Sequence, residues 1–498
     1  MPAKANIQNT MQHVVVVGVG KSGQATARFL LSHGRELGIE SLALVDSASS
    51  DSLDSFLVQL SQENGGAISI HATFGTDCVL EHASGARYDV CVMTPGLAPH
   101  TKLSQSAYQL SDEVISEIEL AYRLSPQGLD WIAVTGTNGK TTTTELVRAL
   151  LDSDSTADST DGSSVDSTLG RQVFSVGNIG TPALDLLDVV NDGDIFVAEV
   201  SSFQAARLAV FKPRVAALLN LSSDHLDWHK DIATYAADKC IIFANSASGD
   251  VVFAPDESQF HIAARPVIAN ALEAARQRGA EVRIIQTDEA ALPVRASEMQ
   301  IRGQHNVINA CFATAIAQYF GVSVADCARA LKSFSAQPHR MQEIGRFNDV
   351  LYVNDSKATN PDASIQALGA YSGLRLTVLL GGQAKSGDVS ICDDAEYLDL
   401  AKTALARAQS ILLFGEVASE LKAIFDDLCA AEDVADADIH CFASMEQAVR
   451  YAVDTTTPQQ VVLLSPANAS FDEFSNYIER GTAFKDIVKD AVCAGDVH

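Results

Sequence analysis

A glycine-rich turn between an apolar strand and a helix limits the fold of this 498-residue chain more than any other feature. The turn follows Trp131-Ile132 and reads AVTGTNGKTT over residues 133–142. Glycines let backbone N–H groups approach phosphate oxygens, and the following helix points its positive end at them. Lys140 is placed to reach terminal phosphates, and Thr141 to offer a hydroxyl to Mg²⁺. The pattern predicts ATP binding beside a parallel sheet.

The turn departs from the usual phosphate-binding loop at one position. The usual first glycine would fall on Val134, and the chain has Gly136 instead. The alternative interpretation is a chance Gly-Lys-Thr-Thr sequence after a strand, with no nucleotide. We expect the loop and the first helical turn to bind ATP through Gly136, Thr137, Asn138, Gly139, Lys140, Thr141 and Thr142.

A second glycine-rich turn lies near the N-terminus. The apolar run His13–Val17 leads into Gly18–Gly23, with the spacing Gly-x-Gly-x-x-Gly, and the next strand ends at Asp46. A βαβ unit with an acid roughly 20 residues on is the dinucleotide-binding pattern. It admits NAD(P), FAD or another nucleotide diphosphate, and the alternative is a tight turn without a ligand. Redox use is disfavoured because a second phosphate loop follows and no hydride-transfer residues are evident.

Strand-like and helix-like runs alternate along the chain, which predicts an α/β fold with parallel, doubly wound sheets. We predict three domains: a Rossmann-like nucleotide-binding unit over 1–116, a central P-loop ATPase-type sheet over 117–337, and a second Rossmann-like sheet over 338–498. Residues 152–168 are nearly all Asp, Ser, Thr and Gly, so we expect a disordered surface insertion. The predicted strands include 13–17, 42–45, 88–93, 195–200, 215–219, 350–353, 376–380, 411–414 and 461–464.

Composition argues against several classes of protein. The formal net charge of −28 opposes nucleic-acid binding through a basic surface. No apolar run approaches the roughly 20 residues of a membrane span, and the polar residues 1–12 show no signal peptide. The nine cysteines form no Cys-x-x-Cys pair, so neither a disulfide framework nor a zinc site is expected. We expect a monomeric, cytoplasmic protein that binds neither nucleic acid nor membrane.

Polar residues follow several predicted strands, where ligands of parallel sheets bind. Glu199 begins the sequence EVSSFQ, and a carboxylate near a phosphate loop can hold Mg²⁺. The alternative for Glu199 is a capped or solvated strand end. His225 lies among carboxylates in SSDHLDWH, which suits a metal or substrate role as well as a surface histidine. Asn354–Lys357 and Ser465-Pro466 follow strands of the last segment.

These phrases together resemble the Mur ligases, the ATP-dependent amide-forming enzymes of peptidoglycan synthesis. TGTNGKTT, EVSSFQ, LNLSSDHLDWH and GQHNVINA fall in that family's order. The phrases QPHRMQ, VNDSKATNPDAS, LLGGQAKSGD and LLSPANASFDEFSNYIERGTAFK resemble the members that add D-glutamate to UDP-N-acetylmuramoyl-L-alanine. Sister ligases carry Asp-Tyr-Ala-His or a similar phrase at 355–360. The resemblance covers nearly the whole chain except the insertion and residues 257–295.

The resemblance implies a role for each matching position. The UDP-linked substrate would lie against Gly18, Gly20, Lys21, Ser22, Asp46, Asn178, Gln204 and His225. One Mg²⁺ would be held by Thr141 and Glu199, and a second by His225 and Lys239, with Lys239 as a CO₂-derived carbamate. ATP would also meet Asn306, Asn309, Arg340 and Asp355. D-Glutamate would be bound by Lys357, Thr359, Lys385, Ser470 and Tyr477, and the catalytic set would be Lys140, His225, Lys239 and Lys357.

Two departures and three alternatives accompany this interpretation. Tyr477 stands where the family suggests Phe, and Gln383-Ala384 precedes Lys385 in an unfamiliar phrase. Another ligase of the superfamily, such as folylpolyglutamate synthase, is disfavoured by the Gly18 unit and the SKATN phrase. An NAD-dependent oxidoreductase would leave Lys140 unexplained. A non-catalytic nucleotide-binding protein would not need Lys140, Glu199, His225 and Lys239 together.

Overall fold

The computed structural model describes residues 11–64, 66–75, 80, 87–153, 171–226, 228–335, 337–371, 373–384, 391, 395–432 and 438–495. The chain divides into two compact units, one of residues 1–287 with 312–327 and one of 288–311 with 328–498. Its strands form three sheets of five, six and six strands. The first unit contains the first two sheets, and the second unit contains the third.

The first sheet is parallel, with the strand order β3-β2-β1-β4-β5. Its central strands are apolar on both faces, such as the run HVVVV in β1, which is typical of a sheet covered by helices on both sides. The strands are β1 His13–Val17, β2 Ser41–Asp46, β3 Ser69–Phe74, β4 Tyr88–Met93 and β5 Ser111–Ile115. The helices are α1 Lys21–Ser32, α2 Gly34–Leu37, α3 Asp51–Asn64, α4 Lys102–Leu110 and α5 Glu117–Leu124.

The second sheet is also parallel, in the order β11-β10-β9-β6-β8-β7. Strand β6 lies between β8 and β9, so the segments that follow these three strands emerge at one edge of the sheet. The strands are β6 Asp130–Thr135, β7 Val173–Gly177, β8 Ile195–Glu199, β9 Val215–Leu218, β10 Val251–Pro255 and β11 Glu281–Ile285. The next helices in the chain are α6 Lys140–Asp152, α7 Ser202–Ala205, α8 Ile232–Cys240, α9 Arg265–Gln277, α10 Gln304–Tyr319 and α11 Val324–Ser333.

The third sheet has the order β12-β13-β17-β14-β15-β16. Five of its strands are parallel, and the edge strand β12 is antiparallel to β13. The strands are β12 Gln342–Phe347, β13 Val350–Asn354, β14 Arg375–Gly381, β15 Ser410–Phe414, β16 Asp438–Phe442 and β17 Gln460–Ala467. The helices are α12 Pro361–Ala370, α13 Ala395–Arg407, α14 Ala418–Glu432, α15 Met445–Thr455 and α16 Tyr477–Gly495.

The α/β architecture with parallel sheets is confirmed, and each strand predicted from an apolar run is present. The prediction of a wholly parallel third sheet is wrong at one edge, where β12 is antiparallel to β13. Asn348 and Asp349 have φ of 49° and 60°, so they form a two-residue hairpin turn that reverses the chain between β12 and β13. The predicted insertion lies almost entirely outside the described residues, and the three domain boundaries stay predictions. In the described part of the chain, no helix is long and apolar enough to cross a membrane.

Candidate active site

The glycine-rich loop joins β6 to α6 in the first unit. Gly139 precedes the helix with φ of 80°, a left-handed conformation that glycine adopts without strain. A Cβ atom on Gly136 would lie 3.1 Å from Leu219 Cβ, so the backbone there passes close to the end of β9. The Asn220 side chain accepts the N–H groups of Thr137 at 3.1 Å and Asn138 at 2.9 Å. These contacts fix the course of the loop and connect it to the segment after β9.

Lys140 is the first residue of α6 and folds back over the loop. Its Nζ donates to the carbonyl oxygens of Gly136 at 2.9 Å and Thr137 at 2.7 Å. Its ammonium group therefore lies at the mouth of the loop, where a phosphate chain bound to the backbone N–H groups would meet it.

Glu199 ends β8 and lies beside the same helix. Its side chain is almost fully buried, with 1% of the residue exposed. One carboxylate oxygen accepts the Thr141 hydroxyl at 2.6 Å, and the other accepts the Asn178 amide at 2.7 Å. A carboxylate and a hydroxyl at this separation are hard oxygen donors of the kind that Mg²⁺ prefers, so the donor set fits this cation.

Lys239 reaches the same loop from α8. Its buried Nζ donates to the Gly136 carbonyl oxygen at 2.7 Å and lies 4.6 Å from the centre of the Tyr235 ring. Two lysine side chains thus share one carbonyl oxygen. Burial and the nearby charge of Lys140 lower the pKa of Lys239 well below its ordinary value, against the opposing effect of Asp224 and Glu199. As an ammonium group, Lys239 has only donors and cannot bind a metal ion.

His225 lies beyond β9 in a left-handed conformation, with φ of 58°. Its backbone N–H donates to Asp224 Oδ1 at 2.9 Å, and its ring lies 4.7 Å from the Phe203 ring. The side chain is 33% exposed. Such a conformation is uncommon for a residue other than glycine and is found disproportionately at functional sites.

The glycine-rich turn between β1 and α1 has the geometry that its sequence pattern predicts. Gly18 has φ of 89°, and a Cβ on Gly23 would lie 2.0 Å from the Gly18 carbonyl oxygen, so helix α1 packs closely only with glycine there. Asp46 Oδ2 accepts the Val19 N–H at 2.5 Å. Lys21 Nζ donates to the Gly180 carbonyl oxygen at 2.6 Å. The turn is therefore bonded to the segment that contains Asn178.

Polar side chains of the second unit surround the end of β13. Asp355 is buried, accepts the Met341 N–H at 3.0 Å and accepts the Ser465 hydroxyl at 2.9 Å. Burial raises the pKa of its carboxyl to about 7, despite the opposing hydrogen bonds and the charges of Arg340 and Arg480. In α10, Asn309 donates to the Asn306 side chain at 3.1 Å, so the two buried asparagines form one polar pair.

A second polar group of this unit surrounds the start of α16. Lys357 Nζ lies 4.0 Å from the centre of the Tyr477 ring, a cation–π contact. Arg480 is fully buried and donates to the carbonyl oxygens of Ser356 at 2.8 Å, Asn468 at 3.0 Å and Ala469 at 3.0 Å. The guanidinium thereby ties the segment after β13 to the segment after β17, next to the buried Ser470.

Comparisons with known proteins identify the relatives of this chain. Residues 134–317 match the family model of the Mur ligase middle domain, and residues 339–468 match the Mur ligase glutamate ligase domain. The UDP-N-acetylmuramoylalanine–D-glutamate ligase of Thermobifida fusca is 32% identical over 493 residues, which are 95% of this chain and 97% of that protein. The chain belongs to the Mur ligase family. The same ligase of Salinibacter ruber is 33% identical over 493 residues, 95% of this chain and 97% of that protein.

Solved structures of Mur ligases share the fold at lower identity. MurF from Acinetobacter baumannii superposes with a TM-score of 0.56 at 19% identity and covers 90% of this chain and 91% of its own. The UDP-N-acetylmuramate–alanine ligase MurC from Thermotoga maritima has a TM-score of 0.51 at 16% identity, and the match covers 96% of this chain and 99% of that protein.

The structure of this Mur ligase collects part of the predicted site around one loop. Lys140 and Lys239 both donate to the Gly136 carbonyl oxygen of this loop. Beside it, the Glu199 carboxylate accepts hydrogen bonds from Thr141 and Asn178. The Gln204 side-chain oxygen accepts the backbone N–H and the hydroxyl of Ser201 at the start of α7, and its contact with the substrate stays a prediction. Ser22, Thr359 and Arg340 are half-buried, and Lys385 lies outside the described residues.

Sequence analysis of the Mur ligase missed three polar residues: the half-buried Asn220 and the buried His229 and Arg480. Each lies within a sequence phrase typical of the family, but no spacing pattern indicates its hydrogen-bond partners. Asn220 binds the phosphate loop across 82 residues of chain, and Arg480 binds Ser356 across 124. His229 lies between Ser202 and Asp238, at 2.9 Å from each. Such long-range pairings follow from strand order, which the sequence does not state.

Proposed function

We propose that this protein joins D-glutamate to the alanyl carboxylate of UDP-N-acetylmuramoyl-L-alanine in cytoplasmic peptidoglycan precursor synthesis, with conversion of ATP to ADP and phosphate. The family of its relatives supports this activity. One structural observation carries it: the Thr141 hydroxyl, the Glu199 carboxylate and the amine of Lys239 meet at the loop covered by Lys140. That arrangement suits a metal-bound triphosphate whose terminal phosphate is to be transferred.

The chemistry follows from the poor leaving group of a carboxylate. An alanyl carboxylate oxygen attacks the γ-phosphorus of ATP and displaces ADP, which leaves an acyl phosphate. The amine of D-glutamate attacks the acyl carbon, and a tetrahedral intermediate collapses to the amide as phosphate leaves with the bonding electrons and the amine loses a proton. Each step brings anions together, so catalysis consists mostly of positioning and charge neutralisation.

The residues around the loop have complementary roles in this proposal. Backbone N–H groups of 136–142 other than those of Thr137 and Asn138 bind the phosphates, and Lys140 neutralises the terminal one. Thr141 and Glu199 would hold one Mg²⁺, and His225 and Lys239 would hold a second. The charge of such ions would stabilise the negative charge on the phosphoryl oxygens. Gly18, Gly20, Lys21, Ser22 and Asp46 bind the UDP part, and Asn178, Gln204 and His225 lie near the muramoyl-alanine part.

Lys239 is proposed to bind its metal ion as a carbamate. The lowered pKa of this amine favours its neutral form. A neutral amine adds to the carbon of CO₂ and loses a proton, which gives an anionic oxygen ligand suited to a hard cation. The modification would also remove the repulsion between Lys239 and Lys140 at the Gly136 carbonyl oxygen.

Residues of the second unit are proposed to bind the adenine nucleotide and D-glutamate. Asn306, Asn309, Arg340 and Asp355 would meet the adenine nucleotide. Lys357, Thr359, Lys385, Ser470 and Tyr477 would bind D-glutamate, with the lysines facing its carboxylates. Arg480 supports this pocket because its guanidinium donates to both the hydroxyl and the carbonyl oxygen of Ser356. The three domains would be residues 1–116, 117–337 and 338–498.

A substrate panel tests the proposal. Phosphate release from ATP should require both UDP-N-acetylmuramoyl-L-alanine and D-glutamate, and mass spectrometry should find the amide product. Lys140→Met should abolish release, because it keeps most of the length of the side chain but removes its charge. Equal or better activity with L-glutamate or a diamino acid would contradict the substrate assignment. Oxidation of NADH without ATP turnover would contradict the ligase assignment.

A further inference from the structure

A buried hydrogen-bond chain connects Ser202, His229 and Asp238. The imidazole of His229 is 0% exposed. Its Nδ1 lies 2.9 Å from Asp238 Oδ2, and its Nε2 lies 2.9 Å from Ser202 Oγ. A carboxylate only accepts hydrogen bonds, so Nδ1 carries the proton. In the neutral ring, Nε2 then accepts the Ser202 hydroxyl, and both ring nitrogens are satisfied.

The order of these groups is that of a nucleophilic triad, but the burial of Ser202 excludes that role. Only 2% of Ser202 is exposed, and no acyl group from solvent can reach its hydroxyl. A triad also places its serine where a substrate carbonyl can be attacked. This hydrogen-bond chain must therefore act within the protein, through the segments that it connects.

Those segments contain three of the proposed metal ligands. Ser202 begins α7, three residues after Glu199. Asp238 immediately precedes Lys239 in α8. The backbone N–H of His229 itself donates to the His225 carbonyl oxygen at 2.9 Å. One imidazole thus connects the segments of Glu199, His225 and Lys239.

Aromatic packing makes this connection stiff. The His229 ring stacks on Phe203 with 5.6 Å between centroids and 15° between planes, and lies 5.0 Å from the Tyr235 ring. Phe203 also contacts the His225 ring, and Tyr235 contacts Lys239. A displacement of His229 would therefore move the groups next to two of the ligands.

We propose that His229 is a positioning residue that holds Glu199, His225 and Lys239 at the spacing needed to bind divalent cations beside the nucleotide. The inference rests on the proposed function, because that function assigns the three ligands. Ser202 and Asp238 restrain one imidazole from its two sides, so loss of either bond releases the same ring. Their contributions to metal affinity are consequently coupled.

A double-mutant cycle tests the coupling. Ser202→Ala, Asp238→Ala and the double variant are titrated with Mn²⁺ in the presence of a non-hydrolysable ATP analogue, and free Mn²⁺ is followed by its electron paramagnetic resonance signal. Each single variant should weaken Mn²⁺ binding on the order of 10-fold, as losses of partners behind metal ligands do. The Mn²⁺ affinity of the double variant should be only slightly lower than that of the single variant with the lower affinity.

A matched control removes another serine–histidine bond. Ser41→Ala deletes the bond between Ser41 Oγ and His13 Nδ1, which are 2.8 Å apart in the first sheet. It should leave Mn²⁺ affinity unchanged. Melting temperatures are measured for all variants, since a purely structural role would lower them without changing metal affinity.

The outcomes separate this inference from the function on which it rests. Unchanged Mn²⁺ affinity in Ser202→Ala, or independent effects that multiply in the double variant, would overturn the positioning role. Ser202→Ala removes a single atom, so its affinity decides the question even if Asp238→Ala fails to fold. Failure of the wild-type protein to form the amide would overturn the proposed function instead.

Discussion

Burial of the Glu117 carboxyl gives this protein a pH-dependent stability. Glu117 begins α5, and its side chain accepts the Leu184 N–H at 2.9 Å. Burial, with a smaller contribution from the charge of Asp185, raises its pKa from 4.5 to about 7. Because the folded state holds this proton more tightly than the unfolded chain, stability falls as pH rises from about 4.5 to about 7, and the loss is complete above that range.

The loss can be given a magnitude. The difference between 4.5 and about 7, at about 1.4 kcal/mol per pH unit, corresponds to about 3 to 4 kcal/mol. Glu117→Gln keeps the acceptor oxygen and cannot ionise, so it avoids this loss. At about 2 °C per kcal/mol for a large unit, the variant should melt about 7 °C above the wild type at pH 8 and about 2 °C above it at pH 5.

Differential scanning calorimetry at pH 5, 6, 7 and 8 measures this difference directly. Glu36→Gln, which changes an exposed carboxyl of α2, is the matched control and should show no such trend. A difference in melting temperature that is the same at every pH would refute the reasoning. A Glu117→Gln variant that melts below the wild type at pH 8 would also refute it, because the neutral amide would then be the poorer partner for Leu184.

Three further predictions concern activity. Lys239→Ala should lose most ligase activity, and formate or acetate should restore part of it by supplying the carboxylate oxygens of the proposed carbamate; restoration by an added amine would instead favour a plain lysine. Ser470→Ala should raise the KM for D-glutamate roughly 10-fold or more, with the KM for ATP little changed, and a parallel rise in both would exclude a local pocket role. Deletion of residues 153–167 should leave kcat nearly unchanged because its polar composition offers no apolar face to pack, and a large fall in kcat at an unchanged melting temperature would contradict this.

Local sequence signals predicted most of the elements that surround the site. Apolar runs such as those of β1, β6 and β8 are buried in the middle of their sheets, because a parallel strand covered on both faces needs apolar residues at every position. The less apolar edge strands β3 and β11 were not predicted. Their side chains are largely exposed or half-buried, so they lack the apolar pattern that identifies a strand.

The two glycine-rich turns and the family were readable from the chain alone. Each turn combines a backbone conformation or close approach that needs glycine with a strand before it and a helix after it, and all three signals are local. Gly18, Gly139 and Lys140 therefore had predictable positions relative to their own strands. The family phrases extended this prediction to residues such as Glu199 and Lys239, whose roles in this chain remain proposals.

Tertiary structure alone decided which of these residues meet. The order β9-β6-β8 places the segments after three distant strands at one edge, so Glu199 contacts Thr141 and Lys239 contacts Gly136. The same convergence buried His229 between Ser202 and Asp238 and lowered the pKa of Lys239. Sequence spacing determines how a segment folds beside its neighbours. Burial and the electrostatics of a site depend on what the rest of the chain brings to it, and that is fixed only when the sheet is assembled.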